Sequence, residues 1–341
     1  MRIGVDVMGG DHAPHAIVEG AIASLQHLAG DDELVLVGER GIVDDAVTRV
    51  RAAGGNATAV ATTQVIGMDE SPVEAVRTKS DSSIVVLARM ASRKVDQPLD
   101  IILSAGNTGA KVCAAQMFMR RLPNVHRPGI AVTLPTFTGP VTLIDVGANI
   151  EPKPIHLAQY GVMGKIYARR MHGIEKPRVG LMSVGSEEAK GTAEMKKARD
   201  LLRAAEGVEF IGYVEGRGVF DGEADVVVTD GVVGNVMVKL AEGLSAGIFK
   251  AIAHEIGQVD PALGAQFKPI IKRIYARHDY HEYGGAPLLG VNGVCIICHG
   301  SSEARTIANA IRTARHFVNS GVNAAIVEQL GAMEAMEEVP A

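Results

Sequence analysis

Short runs of β-branched and aliphatic residues recur along the chain, each followed by a stretch with helical spacing, and this alternation restricts the fold more than any other feature. The runs at 3–7, 34–37, 101–104, 130–134, 141–145, 179–183, 210–213, 225–229 and 294–297 read as strands. Several are apolar at every position, as strands covered on both faces are. Helical stretches are expected at 14–28, 82–94, 109–120, 155–172, 187–205, 233–254 and 301–319. A βαβα rhythm gives an α/β fold, a doubly wound and mostly parallel sheet with helices on both faces. With 341 residues and 47% hydrophobic composition, the chain can bury one large core. Residues 1–332 are expected to form a single α/β domain, with room for two joined lobes and the second at roughly 149–277. Residues 333–341 read as an acidic, frayed tail.

Charge and composition narrow the function. A net charge of −5 and the absence of Trp supply neither the basic face nor the stacking platform that general nucleic-acid binding needs, so no nucleic-acid partner is expected. Three cysteines, Cys113, Cys295 and Cys298, argue against a disulfide framework and fit a reducing compartment. The start MRIGVDVMGGDHAP lacks the pattern of a secretory leader. No run approaches the roughly 18 uninterrupted apolar residues of a membrane span. A cytoplasmic protein whose membrane contact is peripheral is the expectation.

The ends of the strands carry the chemistry. MGGDHAP (8–14), SAGNTGA (104–110), DVGAN (145–149), SVGSEEAKGT (183–192), TDGVVGN (229–235) and HGSSE (299–303) are small, polar loops. In open α/β sheets ligands collect at the carboxyl ends of strands, and glycine-rich turns into helix N-termini receive anions. One such loop is often only a turn; six in one chain point to a shared anion site. None is a standard nucleotide fingerprint. Lys190 precedes Gly191, which is wrong for a P-loop, and Gly216, Gly218 and Gly222 miss the dinucleotide spacing.

Within these loops, Lys190 is either a solvated lysine at a helix start or a cation that neutralises a phosphate or carboxylate. Asn235 is either a helix cap or an amide donor aimed at an oxyanion. Asp11 could cap the first helix and His12 could act as a base or anion ligand. Gly9, Gly10, Ser104, Asn107, Thr108, Gly109, Asp145 and Asn149 complete the expected phosphate and substrate cradle.

Two motifs mislead. Cys295, Cys298 and His299 match a haem-attachment pattern but lie in an apolar strand, where buried small residues are the better reading. His278, Asp279, His281 and Glu282 look like metal ligands, but the spacing is loose and no metal is expected. The segment 262–278 has a cleaner signal. Leu263, Phe267, Ile270, Ile271, Ile274 and Tyr275 fall at helical spacing, with Lys268, Lys272, Arg273 and Arg277 on the other face. Pro269 is expected to divide it into two helices or to open the second. Such a segment faces a core, or it rests on anionic lipid or an acidic partner.

In order along the chain, VDVMGGDHAPHAIVEGA, MDESPVEAVRTKSDSSI, SAGNTGA, RPGIAVTLPT, LIDVGAN, RVGLMSVGSEEAKGT, ADVVVTDGVVGNV, EYGGAPLLGVNG and HGSSEARTIANAIR resemble the PlsX family of acyl-ACP:phosphate acyltransferases. The resemblance runs from residue 1 to about 327. It implies a fold similar to phosphotransacetylases and isocitrate-type dehydrogenases, and transfer of a fatty acyl group from acyl carrier protein to inorganic phosphate for phospholipid synthesis. It further implies no cofactor, a homodimer, and peripheral contact with the inner face of the cell membrane. The family's catalytic residues map onto Lys190 and Asn235, and its carrier- and membrane-contacting helices onto 262–278. Ser183, Thr192 and Cys298 depart from the family's usual residues. Three rivals stand beside this reading: a phosphotransacetylase-like enzyme using acyl-CoA, a metal-dependent hydroxyacid dehydrogenase, and a membrane-docked scaffold for lipid-synthesis enzymes.

Overall fold

The computed structural model describes residues 1–259, 261–277 and 284–337. Eleven strands form one sheet in the order β3-β2-β1-β4-β11-β10-β5-β6-β9-β7-β8. They are β1 (Arg2–Asp6), β2 (Glu33–Glu39), β3 (Ala57–Thr62), β4 (Ile101–Ser104), β5 (Gly129–Thr136), β6 (Gly139–Ile144), β7 (Arg178–Met182), β8 (Glu209–Val214), β9 (Val226–Val228), β10 (Ala286–Leu289) and β11 (Val294–Ile297). β2 shows why the sheet is covered on both sides. Leu34 and Leu36 enter one core, Val35 and Val37 the opposite one, because successive side chains alternate across the sheet.

The first core is roofed by α1 (His15–Ala23), α2 (Arg40–Ala52), α6 (Pro154–His172), α7 (Ala193–Ala204), α11 (Ala304–Asn319) and α12 (Val322–Glu337). The second is roofed by α3 (Pro72–Thr78), α4 (Ser83–Met90) and α5 (Thr108–Ala114), which ends in a π-turn over Ala115–Met119. A short helix, α8 (Gly218–Asp221), covers a smaller third cluster.

Strand direction divides the sheet. β1, β2, β3, β4 and β11 are mutually parallel, as are β6, β9, β7 and β8. Between the blocks, β11–β10, β10–β5 and β5–β6 are all antiparallel. Three reversals leave the second block running opposite to the first. The sheet is thus continuous but divided into two blocks, and the strand-end loops fall into two groups.

Several sequence expectations are corrected. β3 and β10 are strands that small residues and flanking glycines concealed. α7 begins at Ala193 rather than at 187, because Thr192 caps it by accepting from the Met195 N–H at 3.2 Å. α9 (Gly231–Val259) is longer at both ends than expected. α10 (Pro261–Arg277) runs through Pro269 undivided. Packing against α9 offsets the backbone hydrogen bond that Pro269 forgoes. α12 continues to Glu337, so the tail starts within a helix rather than frayed at 333. The cluster His278, Asp279, His281 and Glu282 lies outside the described residues.

Candidate active site

Carboxyl-terminal loops of β6, β9 and β7, neighbours in the sheet, form one group. The loop after β6 is folded around a single carboxylate. Asp145, fully buried, accepts from the N–H groups of Ile130, Gly147, Ala148 and Asn149 at 2.7–3.2 Å and from the Asn149 side chain at 3.2 Å. Burial pushes its pKa up, and these donors oppose the shift. Asn149 also donates to the Pro128 carbonyl and to Tyr160 Oη, each at 2.7 Å.

Against this loop α9 begins. Asp230 caps it, accepting from the N–H groups of Val232 and Val233 at 2.9 Å. Asn235 therefore has no capping duty, which removes the bland alternative for it. Its carboxamide sits over Gly147, with Nδ2 3.3 Å from where a Cβ on that residue would stand. Gly234 makes the approach possible: a Cβ there would lie 2.0 Å from the Asp145 carbonyl oxygen. Lys190 lies in the loop after β7, three residues ahead of α7, exposed and folded back over Gly185. Among the described residues it has no ion pair. Arg199 braces this loop through the Glu188 carbonyl at 2.9 Å, and Arg203 pairs with the Glu188 carboxylate at 2.6 Å.

The other group follows β1, β4 and β11. The Asp11 N–H donates to the Gly300 carbonyl at 2.7 Å and the Asp11 carboxylate rests against Gly300. Pro14, not Asp11, occupies the cap of α1, and Asp11 and His12 are exposed. Gly9 and Gly10 pack on the loop after β4. There Ser104 donates to Asp6 at 2.6 Å and accepts from the Gly106 N–H at 3.0 Å. Asn107 caps α5 and donates to the carbonyls of Gly67, Met68 and Glu70 at 3.1–3.2 Å. Thr108 is exposed at the first turn, and Gly109 leaves room for Pro72. Beneath lies Lys111, buried, donating to the Ser104 and Cys298 carbonyls at 3.1 Å each. Burial lowers its pKa to about 8, and raises the thiols of Cys295 and Cys298 to about 12. Those cysteines are unreactive core residues.

Lys190, Asn235, Asp145 and Asn149 thus follow strands of the second block, and Gly9, Gly10, Asp11, His12, Ser104, Asn107, Thr108 and Gly109 follow strands of the first. No described hydrogen bond or ion pair joins Lys190 or Asn235 to the loops of the first block. Ser104, Asn107, Asp145 and the Asn149 amide nitrogen are hydrogen-bonded within the protein. Their observed work is to hold loop shape. Among the described residues no cluster of three or more His, Cys, Asp or Glu side chains could hold a metal ion.

Met237 and Val238 of α9 still pack against the third cluster, and the helix is largely exposed beyond them. Leu240, Leu244, Ile248 and Ile252, at four-residue spacing, are 41–65% exposed, and Phe267, Ile270 and Ile274 of α10 are exposed as well. Lys268 and Arg273 are exposed, and Leu263 is half-buried; Ile271, Lys272 and Arg277 lie on the same helix. By length and composition, α9 meets the requirement for a membrane-crossing helix, with a mean hydropathy of 1.4 in its most apolar window. Lys239, Glu242 and Lys250 interrupt it, so it holds no run of about 18 uninterrupted apolar residues.

Residues 1–325 match the family model described as fatty acid synthesis protein. The chain is 42% identical over 339 residues to the phosphate acyltransferase of Desulforamulus reducens, covering 99% of this chain and 100% of that one. It is 46% identical over 333 residues to the phosphate acyltransferase of Heliobacterium modesticaldum, covering 97% and 98%. A phosphotransacetylase from Streptococcus pyogenes shares the fold, with a TM-score of 0.61 at 17% identity over 93% of this chain and 94% of that one. A branched-chain phosphotransacylase from Enterococcus faecalis does so with a TM-score of 0.55 at 13% identity, over 93% and 99%. Matched over nearly its entire length by the family model and by these relatives, the chain belongs to the phosphate acyltransferase (PlsX) family, the fatty acid synthesis proteins.

Proposed function

We propose that the protein transfers a fatty acyl group from acyl carrier protein to inorganic phosphate, giving acyl phosphate and free carrier for phospholipid synthesis. The observation that carries this reading is the presence of an uncommitted lysine, Lys190, on the loop after β7 and an uncommitted carboxamide, Asn235, near the start of the helix that follows the neighbouring strand β9. Phosphate is itself a nucleophile at neutral pH and requires no strong base. A phosphate oxygen attacks the thioester carbonyl carbon, the carbon–sulfur bond breaks, and the pantetheine thiolate leaves with its electron pair and takes up a proton. Lys190 anchors the phosphate and offsets its charge. Asn235 donates to the tetrahedral oxyanion or orients the phosphate. Holding the two reactants in attack geometry contributes on the order of 7 kcal/mol or more of barrier reduction. Losing one such donor costs about 10²–10³ in kcat. Asp145 and Asn149 act through the loop on which Asn235 rests.

The exposed apolar stripe of α9 and the basic, apolar α10 are the contact surface for the acidic carrier and for anionic lipid, and they support a homodimer attached peripherally to the inner face of the cell membrane. Acyl-ACP and acyl-CoA compared in one assay with phosphate test the donor. Phosphate-dependent release from acyl-ACP, with at least tenfold preference over acyl-CoA, supports the reading. Equal or better use of acyl-CoA overturns the carrier assignment, and no release from either overturns the reaction.

A further inference from the structure

Among the described residues, Ser183 Oγ and Tyr213 Oη are buried side-chain oxygens without a hydrogen-bond partner, at 8% and 6% residue exposure. A buried hydroxyl left unpaired is destabilising, and proteins seldom retain one without a use. These two are close in the fold. Tyr213 of β8 pairs with Leu181 of β7, and Ser183 follows two residues later, its N–H still on the ladder to the Val214 carbonyl at 3.0 Å. Period-two alternation puts Ser183 on the face that Tyr213 occupies, as a diagonal neighbour on the adjacent strand.

That face is the one covered by α7, since Leu181 and Tyr213 share a core with Ala198 and Leu202. Above the two hydroxyls runs the Lys190 loop. Tyr213 Oη is 3.5 Å from where a Cβ on Gly191 would stand, and Gly191 has a φ of +81°, so the loop passes over the phenol with bare backbone. Thr192 then caps α7, a helix of 12 residues that begins two residues after Gly191, and a helix N-terminus favours an anion. Arg199 steadies the arrangement, its guanidinium 6.0 Å from the Tyr213 ring centroid while it braces the loop.

We infer that the hydroxyls of Ser183 and Tyr213, the first turn of α7 and Lys190 form one pocket for a tetrahedral oxyanion, and that inorganic phosphate occupies it. This inference rests on the acyl-transfer reading and extends it: Ser183 and Tyr213 become phosphate-binding residues, with both hydroxyls donating to phosphate oxygens. Tyr213 carries no mark in the sequence, since it sits in an apolar strand, and Ser183 stands out there only as a departure from the family's usual residue.

Tyr213→Phe, Ser183→Ala and the double variant test it, with inorganic phosphate as the probe. The KM for phosphate rises roughly tenfold to a hundredfold in each single variant, the range for one hydrogen bond to a charged group. The KM for the acyl donor stays within about twofold. Without phosphate the variants melt no lower than the wild type, because an unpaired hydroxyl has been removed. The rise in melting temperature that phosphate gives the wild type shrinks in both. Overturning results are a phosphate KM within about twofold of wild type, an undiminished phosphate-induced stabilisation, or a lower melting temperature without phosphate. If the wild type shows no turnover yet phosphate still raises its melting temperature and Tyr213→Phe blunts the rise, the acyl-transfer reading fails and the pocket stands. If phosphate does not stabilise the wild type at all, the pocket fails.

Discussion

Replacing Gly234 by alanine is the most demanding test of how Asn235 is placed. The new Cβ falls 2.0 Å from the Asp145 carbonyl oxygen and 2.9 Å from Thr229 Cγ2, whereas contacts under 3.0 Å are essentially never seen. The obstacle is backbone, and the loop that carries it is pinned by the buried Asp145 carboxylate. The start of α9 and that loop must therefore part by about 1 Å, since a packed interior has no slack to absorb the methyl group. Asn235 is the next residue and moves with the helix. A displacement of about 1 Å at a catalytic group costs on the order of 10²-fold in rate. The overpacking itself costs roughly 1–3 kcal/mol of stability. Gly243→Ala provides the control: it lies on the same helix, nothing stands within 4 Å of its Cβ, and the helix gains roughly 0.5–1 kcal/mol in propensity. Steady-state turnover and thermal unfolding are measured on both. The expected result is a folded Gly234→Ala protein with kcat down about a hundredfold, beside a Gly243→Ala protein at wild-type rate. Turnover of Gly234→Ala within about threefold of wild type refutes the claim that the glycine contact positions Asn235.

Burial holds Lys111 at about 8 against 10.5 when unfolded, so between those pH values the unfolded chain binds more protons and stability rises with pH. Relative to Lys111→Met, the wild type should gain roughly 3 kcal/mol across that window, and parallel pH profiles from denaturant titrations would show that burial does not depress the Lys111 pKa. Asp145→Ala strips the acceptor from four backbone N–H groups, each left unpaired at about 1–3 kcal/mol, so the protein should lose cooperative thermal unfolding. A melting temperature within a few degrees of wild type would show that the loop has other support. The cations of α10, Lys268 and Arg273 among them, should make the KM for acyl-ACP rise with salt; a KM independent of ionic strength would remove the electrostatic steering.

The sequence carried the parallel α/β layering because β2 and its neighbours are apolar on both faces, a pattern only a doubly covered sheet explains. β3 escaped notice because ATAVAT offers small residues at an edge, half exposed. β10 escaped because four residues between glycines read as a loop. Strand direction was beyond reach: periodicity reports which face a side chain takes, not whether its neighbour runs up or down. The three antiparallel pairings that split the strand-end loops into two groups therefore became visible only in the fold. The small polar loops do lie at strand ends, and Lys190 and Asn235 follow neighbouring strands. What the loops could not convey is which polar atoms remain available. Asn107 and Asn235 look alike in the sequence, yet one is fully engaged by four hydrogen bonds and the other is released by the Asp230 cap. Pro269 misled for the opposite reason, since its local rule yields to the packing of α10 on α9.

The central claim is tested most directly by incubating palmitoyl-ACP with inorganic phosphate and following acyl phosphate by phosphorus NMR, with wild type, Lys190→Ala and Asn235→Ala compared under identical conditions. The account predicts acyl phosphate and free carrier in equal amounts from the wild type, none without phosphate, and a rate at least a hundredfold lower in each variant at wild-type melting temperature. Both variants turning over at near-wild-type rate, or carrier released without acyl phosphate, would contradict it.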